Sequence, residues 1–200
     1  MSVLPVADRE PELTANLRRL LALRWGLLVG EAVAILAVPA GLDIALPRAP
    51  MLLVVALQAA ANLLAARRLA RWPARDADVL VQLVIDVVAL AVLMFFSGGA
   101  ANPLISLLLP PVAVAALVLP GRWVAVVAGL AVVAYSLLNV FYLPLPIADA
   151  TRAARLHLTG MWVTFVLSTT MLAWLVVRMT ASIRRRDAEL AAIREKALRD

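Results

Sequence analysis

The chain has 200 residues, of which 64% are hydrophobic, and a formal net charge of +6. Soluble domains are about 45–50% apolar, so this composition, with a mean hydropathy of +0.94, excludes a soluble globular protein and indicates an integral membrane protein. The basic residues fall between the apolar runs, which indicates membrane topology rather than a nucleic-acid surface, so no nucleic-acid partner is expected.

Six apolar runs follow a polar lead over residues 1–19 and predict an all-α, six-helix transmembrane bundle over residues 20–177. A polar cytoplasmic helix is expected to follow over residues 178–200. Pro39, Pro120 and Pro144 are expected to end the first, fourth and fifth spans. The six predicted spans, in chain order, are Leu20–Val38, Met51–Ala66, Val79–Phe96, Leu104–Leu119, Trp123–Leu143 and Leu156–Val177.

Six spans place both termini on one side of the membrane. Of the 19 Lys and Arg residues, all but Arg48, Arg152 and Arg155 lie at the termini or in the loops after the second and fourth spans. The positive-inside rule therefore predicts that both termini are cytoplasmic. The outer loops are short, so a ligand would enter through the membrane or through the outer mouth of the bundle.

The first three spans carry polar residues that are costly in a membrane: Glu31, Gln58 and Asp86. Counting along the helices places them at a similar level, roughly 10–12 Å from the cytoplasmic end for the two acids. The layer is either a proton or coupling site, or an interhelical polar contact. We expect no basic residue at that level, which favours the second interpretation.

The loop Ser97–Pro103, between the third and fourth spans, carries no charge. Gly98 and Gly99 leave the backbone bare and free to adopt positive φ, and Asn102 adds an amide that both donates and accepts hydrogen bonds. Such a loop can hold a flat ligand against bare backbone. The same residues are also ordinary in a tight turn. Beyond it, Pro110-Pro111 predicts a kink that leaves the carbonyls of Ser106 and Leu107 without their usual partners.

The sixth span begins near His157, the only histidine in the chain. Without cysteine or a second histidine, no metal site is expected, and His157 is interpreted as a hydrogen-bonding residue at the membrane interface. Trp162 lies about one turn deeper than an aromatic belt would. The polar stretch Met179–Asp200 continues this span with a weak heptad rhythm, which indicates either a parallel homodimeric coiled coil or a solvated amphipathic tail. No helix stop signal precedes Asp200, so we expect the helix to continue into further protein.

The run from Gly98 to Leu104 resembles the Gly-Gly-x-x-Asn-Pro-Phe motif of RegB/PrrB/ActS-type redox-sensing histidine kinases. Gly98, Gly99, Asn102 and Pro103 match the motif, whereas Leu104 stands where the family usually has Phe. The patch His157–Trp162 and the Arg-rich segment around Arg24-Trp25 are also similar to that family.

The resemblance implies the sensor portion of a two-component histidine kinase in the bacterial inner membrane, with a ubiquinone-like membrane quinone as ligand. The kinase module and the cytoplasmic response regulator would act beyond this chain, which itself carries no catalytic residue. The implied quinone-binding residues are Gly98, Gly99, Asn102, Pro103, Leu104, His157 and Trp162. The alternative is a small six-span transporter or channel that uses Glu31, Asp86 and Gln58 as an ion or proton path.

Overall fold

The computed structural model describes residues 6–42, 45–144, 151, 154–155 and 157–170. All of its regular elements are helical, which confirms the all-α fold. The predicted helix over 178–200 and the end of the sixth span lie outside the described residues. The helices are α1 (Val6–Leu42), α2 (Arg48–Leu69), α3 (Asp76–Phe95), two 3-10 helices (Gly99–Ala101 and Pro103–Leu108), α4 (Leu109–Val118), α5 (Gly121–Leu138) and α6 (157–170).

Within the described part of the chain, four helical segments are long and apolar enough to cross a membrane: Leu13–Ala37, Arg48–Leu69, Asp76–Phe95 and Gly121–Leu138. A fifth apolar segment, Pro103–Val118, is shorter. These five match the first five predicted spans to within a few residues, apart from the start of the first and the end of the fifth. The chain is therefore a multi-pass helical membrane protein, as its composition predicted.

Helix α1 differs most from its predicted bounds, because it begins at Val6 and runs through Pro39 to Leu42. The helix therefore does not end at Pro39, although the apolar segment within it, Leu13–Ala37, ends close to that proline. Proline removes one backbone donor, but packing of neighbouring helices lets a membrane helix tolerate that loss. The polar lead is therefore helical from Val6 onwards and continuous with the first span.

The fourth span changes helical type near its prolines. Residues Pro103–Leu108 form a 3-10 helix, and α4 then begins at Leu109, so that Pro110 falls in its first turn, where a missing N–H matters least. The backbone N–H of Leu109 donates to the Ser106 carbonyl. The Ser106 carbonyl therefore loses its usual α-helical partner at Pro110, as predicted, but accepts from Leu109 instead, because the tighter 3-10 turn replaces the missing bond.

The helices pack in a consecutive antiparallel order from α1 to α3, and α5 packs against both α3 and α4. Two apolar clusters fill the bundle. The larger is nearer the start of α1 and includes Leu17, Leu21, Val79, Leu83 and Val127. The smaller is near the Gly-Gly loop and consists of Leu28, Ile35, Met51, Val55 and Leu93. Along α1 and α2, buried polar residues separate the two clusters.

Candidate functional site

The Gly-Gly loop depends on glycine at two consecutive positions. Gly98 has φ 102° and Gly99 has φ 63°, both in the left-handed region that side chains with a Cβ rarely adopt. These two residues reverse the chain at the end of α3, and the 3-10 turn Gly99–Ala101 follows directly. The predicted turn is therefore present, and its shape requires both glycines.

The side chain of Asn102 makes three hydrogen bonds within the loop. Its Nδ2 donates to the Ser97 carbonyl at 2.9 Å and to Ser97 Oγ at 2.7 Å, and its Oδ1 accepts from the Leu104 N–H at 2.9 Å. Ser97 Oγ in turn donates to the Leu93 carbonyl at 2.8 Å. Both amide donors of the buried Asn102 are thus used within the loop. In this conformation Asn102 shapes the site and has no donor free for a ligand.

Gly99 packs against the segment that leaves α5. A Cβ on Gly99 would lie 2.5 Å from Tyr142 Cβ and 2.7 Å from the Leu138 carbonyl oxygen. The Leu143 N–H donates to the Phe95 carbonyl at 2.8 Å, which holds the same segment to the end of α3. A flat ligand could lie on Gly99 only if Tyr142 moved, so the bare face of this glycine serves a close contact between two chain segments.

Helix α6 meets the loop at Gly160. A Cβ on Gly160 would overlap the ring of Pro103 and approach its Cβ to 2.9 Å, which only glycine avoids. One turn further, Thr164 is buried and its Oγ1 donates to the Gly160 carbonyl at 2.9 Å. The two sequence patches that were singled out separately are therefore in direct contact, through Pro103 and Gly160.

The remaining predicted site residues take different positions around this contact. Leu104 is half-buried beside Pro103, and His157 is exposed three residues before Gly160. Trp162 is 67% exposed, and its position two residues after Gly160 places it on the far side of α6 from the loop. The structure therefore brings the loop and the start of α6 together but leaves Trp162 on the outer surface of the bundle.

A second polar site lies inside the bundle, between α1 and α3. Arg24 of α1 is only 3% exposed. Its guanidinium forms an ion pair with Asp86 at 2.6 Å and donates to Gln82 Oε1. Arg24 and Asp86 both lie near the middle of their apolar spans, where an unpaired charge would be strongly unfavourable.

The rest of the predicted polar layer joins α1 to α2. Gln58 Nε2 donates to Glu31 Oε2 at 2.9 Å, and the fully buried Asn62 donates from Nδ2 to the Leu21 carbonyl at 3.0 Å. The contact between Gln58 and Glu31 places these two residues at one level of the bundle, as predicted. We name Arg24, Glu31, Gln58, Asn62, Gln82 and Asp86 the buried polar cluster.

Sequence reasoning missed Arg24 as a member of this cluster, because the residue was assigned to the cytoplasmic positive charge. The prediction that no basic residue lies at this level was wrong. A signal was available: Arg24 precedes Glu31 by seven residues, which places both on one face of a helix. The described residues include no group of three His, Asp or Glu side chains that could hold a metal ion.

Comparison with known proteins places this helical membrane bundle in a known family. A family described as the PilS-like transmembrane domain matches residues 12–191. The sensor histidine kinase RegB of Cereibacter sphaeroides is 28% identical over 198 residues, covering 92% of this chain and 42% of the relative. The chain thus spans about two fifths of the length of that relative, and no solved structure matches it. The resemblance to the sensor portion of RegB-type proteins is confirmed, and the chain belongs to the PilS-like transmembrane domain family.

Proposed function

We propose that this chain is the membrane sensor domain of a two-component sensor histidine kinase, and that it responds to the redox state of a ubiquinone-like membrane quinone. A bound quinone and its quinol differ in hydrogen-bond donors and acceptors, so one redox state can favour one conformation of the domain. The kinase module and the response regulator would receive the signal beyond α6. The family match and the similarity to a protein named as a sensor histidine kinase support the kinase assignment.

The observation that carries the proposal is the contact between Pro103 and Gly160. It joins the Gly-Gly loop, where the ligand is expected, to the helix that leads out of the bundle. A ligand that shifts the loop would press directly on α6, because the ring of Pro103 lies against the bare backbone of Gly160. A helix in such tight contact moves as a unit rather than absorbing the shift locally.

The geometry of the loop indicates a different role toward a quinone for each predicted site residue. Asn102 is expected to hold the loop in shape, since its donors are already used by Ser97. His157, exposed at the start of α6, is the side chain best placed to donate to a quinone carbonyl. Leu104 would contact the ring, and Trp162 would line the lipid side from which the quinone arrives.

We propose further that both termini are cytoplasmic, so that the Gly-Gly loop is on the outer side, and that the protein is a parallel homodimer through α6 and residues 178–200. The distribution of Arg and Lys supports the orientation, and the heptad rhythm supports the dimer. A reporter fused after Ala100 should report the outer side.

Cysteines introduced at Ile183 and Leu190 should crosslink between chains; the absence of crosslinks at both positions would exclude this dimer.

Quinone binding is tested by fluorescence quenching in two forms of the chain, each with four of its five Trp residues replaced by Phe. One form keeps Trp162, on the outer face of α6, the helix that contacts the loop, and the other keeps Trp25, which is exposed on α1. Quinone dissolved in lipid quenches any exposed Trp by collision. We therefore expect quenching of Trp162 to saturate and quenching of Trp25 to rise linearly with added quinone.

Two variants then relate the saturable signal to the loop. Leu104→Phe restores the ring of the family motif and should tighten binding by about 0.5–1.5 kcal/mol through stacking. Gly99→Leu should abolish saturation, because its Cβ would displace Tyr142. Glu31→Gln, in the bundle interior, is the control and should bind like the parent. If Trp162 and Trp25 quench alike, or if neither loop variant shifts the curve, the loop is not a quinone site.

The ion-path alternative is less well supported by the geometry of the buried polar cluster. Its charged and amide groups are engaged with one another across three helices, through Arg24–Asp86 and Glu31–Gln58. Along α1, an apolar cluster packs on each side of Arg24. An ion path needs groups that face a continuous aqueous route, and family membership also favours the sensor assignment.

A further inference from the structure

The buried polar cluster contains more acid than base. It holds two carboxyl groups, Glu31 and Asp86, and one guanidinium, Arg24, which pairs with Asp86. Helix α2 contributes only the neutral amides of Gln58 and Asn62, and α3 adds the neutral Gln82. Helix α4 has no ionisable residue, and the Arg122 side chain at the start of α5 is exposed. With both carboxyls ionised, the cluster would carry one uncompensated negative charge.

An uncompensated charge inside a membrane bundle is strongly unfavourable, and binding a proton removes it. Asp86 is paired with Arg24 at 2.6 Å, so ionisation of that carboxyl is compensated. Glu31 instead accepts a hydrogen bond from the neutral amide of Gln58 at 2.9 Å. We propose that the buried polar cluster is a binding site for one exchangeable proton, carried by the Glu31 carboxyl.

The proton comes from water and joins Glu31 Oε1, while Oε2 keeps accepting from Gln58. Glu31 is only partly buried by the helices of this chain, and where its carboxyl meets lipid the neutral, protonated form is favoured. Asn62 provides an independent indication of a ligand in this cluster. It is fully buried, and its Oδ1 has no hydrogen-bond donor among the described residues. An orphaned acceptor at this depth calls for a donor such as water, one turn of α2 from Gln58.

The test is infrared spectroscopy of the full chain in lipid vesicles, which detects the C=O stretch of a protonated carboxyl. At neutral pH we expect one such band, which shifts when the chain is labelled with carbon-13 glutamate and disappears as the pH is raised. Glu31→Gln should remove the band. Asp86→Asn should also remove it, because Arg24 then becomes the counter-ion of Glu31 and the proton is released.

The matched control is Asp78→Asn, which removes a carboxyl from the ion pair with Arg68, 2.5 Å long, at the opposite end of α3 from the loop. This variant should keep the band. Circular dichroism of each variant reports whether the helices are retained, and Glu31→Gln is nearly isosteric, so its result does not depend on refolding. Absence of the band in the parent chain, its persistence in Glu31→Gln or Asp86→Asn, or its loss in Asp78→Asn would overturn the proposal.

Discussion

The Gly-Gly loop and the buried polar cluster differ in the range of their polar contacts. In the loop, hydrogen bonds join residues two to five positions apart, and the partners are neutral. In the cluster, partners are 27, 41 and 58 positions apart and include an ion pair. The loop therefore holds its own shape, whereas the cluster fixes three helices relative to one another.

This difference predicts how far the effect of a substitution should spread from each region. Removing a loop contact should disturb only the turn and what rests on it, since the helices around it remain packed. Removing a cluster contact should leave a polar group unpaired in the bundle interior and weaken the packing of α1, α2 and α3 together. The contact of Gly160 with Pro103 joins the loop to a helix. Disturbing it should therefore destabilise the protein more than a change within the loop and less than a change in the cluster.

The largest effect is expected for Arg24→Met, which keeps an unbranched side chain but removes the charge that pairs with Asp86. Breaking a buried ion pair from one side destabilises by about 3–5 kcal/mol, because the remaining charge is buried alone. Equilibrium unfolding in mixed detergent micelles measures the free energy of unfolding. The double variant Arg24→Met with Asp86→Leu removes both charges and should recover most of the loss.

Arg68→Met is the matched control, because Arg68 pairs with Asp78 in the same manner but is about 41% exposed. Exposed ion pairs contribute about 0–1 kcal/mol, since water and salt screen them. If Arg24→Met and Arg68→Met lower the free energy of unfolding equally, the ion pair with Asp86 does not hold α1 to α3, and the contrast between cluster and loop is wrong.

A smaller effect is expected for Gly160→Leu, whose side chain would overlap Pro103. Overpacking of this kind typically destabilises by about 1–3 kcal/mol. Gly129→Leu is the control, because a Cβ at Gly129 meets no atom within 4 Å. The same unfolding measurement should separate the two variants. If the two variants have equal free energies of unfolding, α6 does not pack against the loop at Gly160. That result would contradict the contact on which the proposed signal transmission depends.

Much of this architecture could be predicted from sequence, because apolar runs and glycine act locally. The spans follow from hydropathy, and the left-handed turn follows from Gly98-Gly99. The partner of Arg24 could not be predicted from its position alone, since the pairing depends on how α1 packs against α3. The close contacts of Gly99 and Gly160 were missed for the same reason: a glycine shows where a backbone is bare, but only the fold shows what approaches it.

The smallest effect is expected for Asn102→Ala, which removes three hydrogen bonds within the loop. Replacing a residue that caps a helical turn typically destabilises by about 1 kcal/mol. Ser97→Ala removes part of the same network, so the double variant should lose less than the sum of the two single losses. Asn139→Ala is the control, because the exposed Asn139 bonds only to the Tyr135 carbonyl one turn earlier. If the Ser97 and Asn102 losses add fully, the two side chains act separately, and the loop is not the self-contained unit that its short-range bonds indicate.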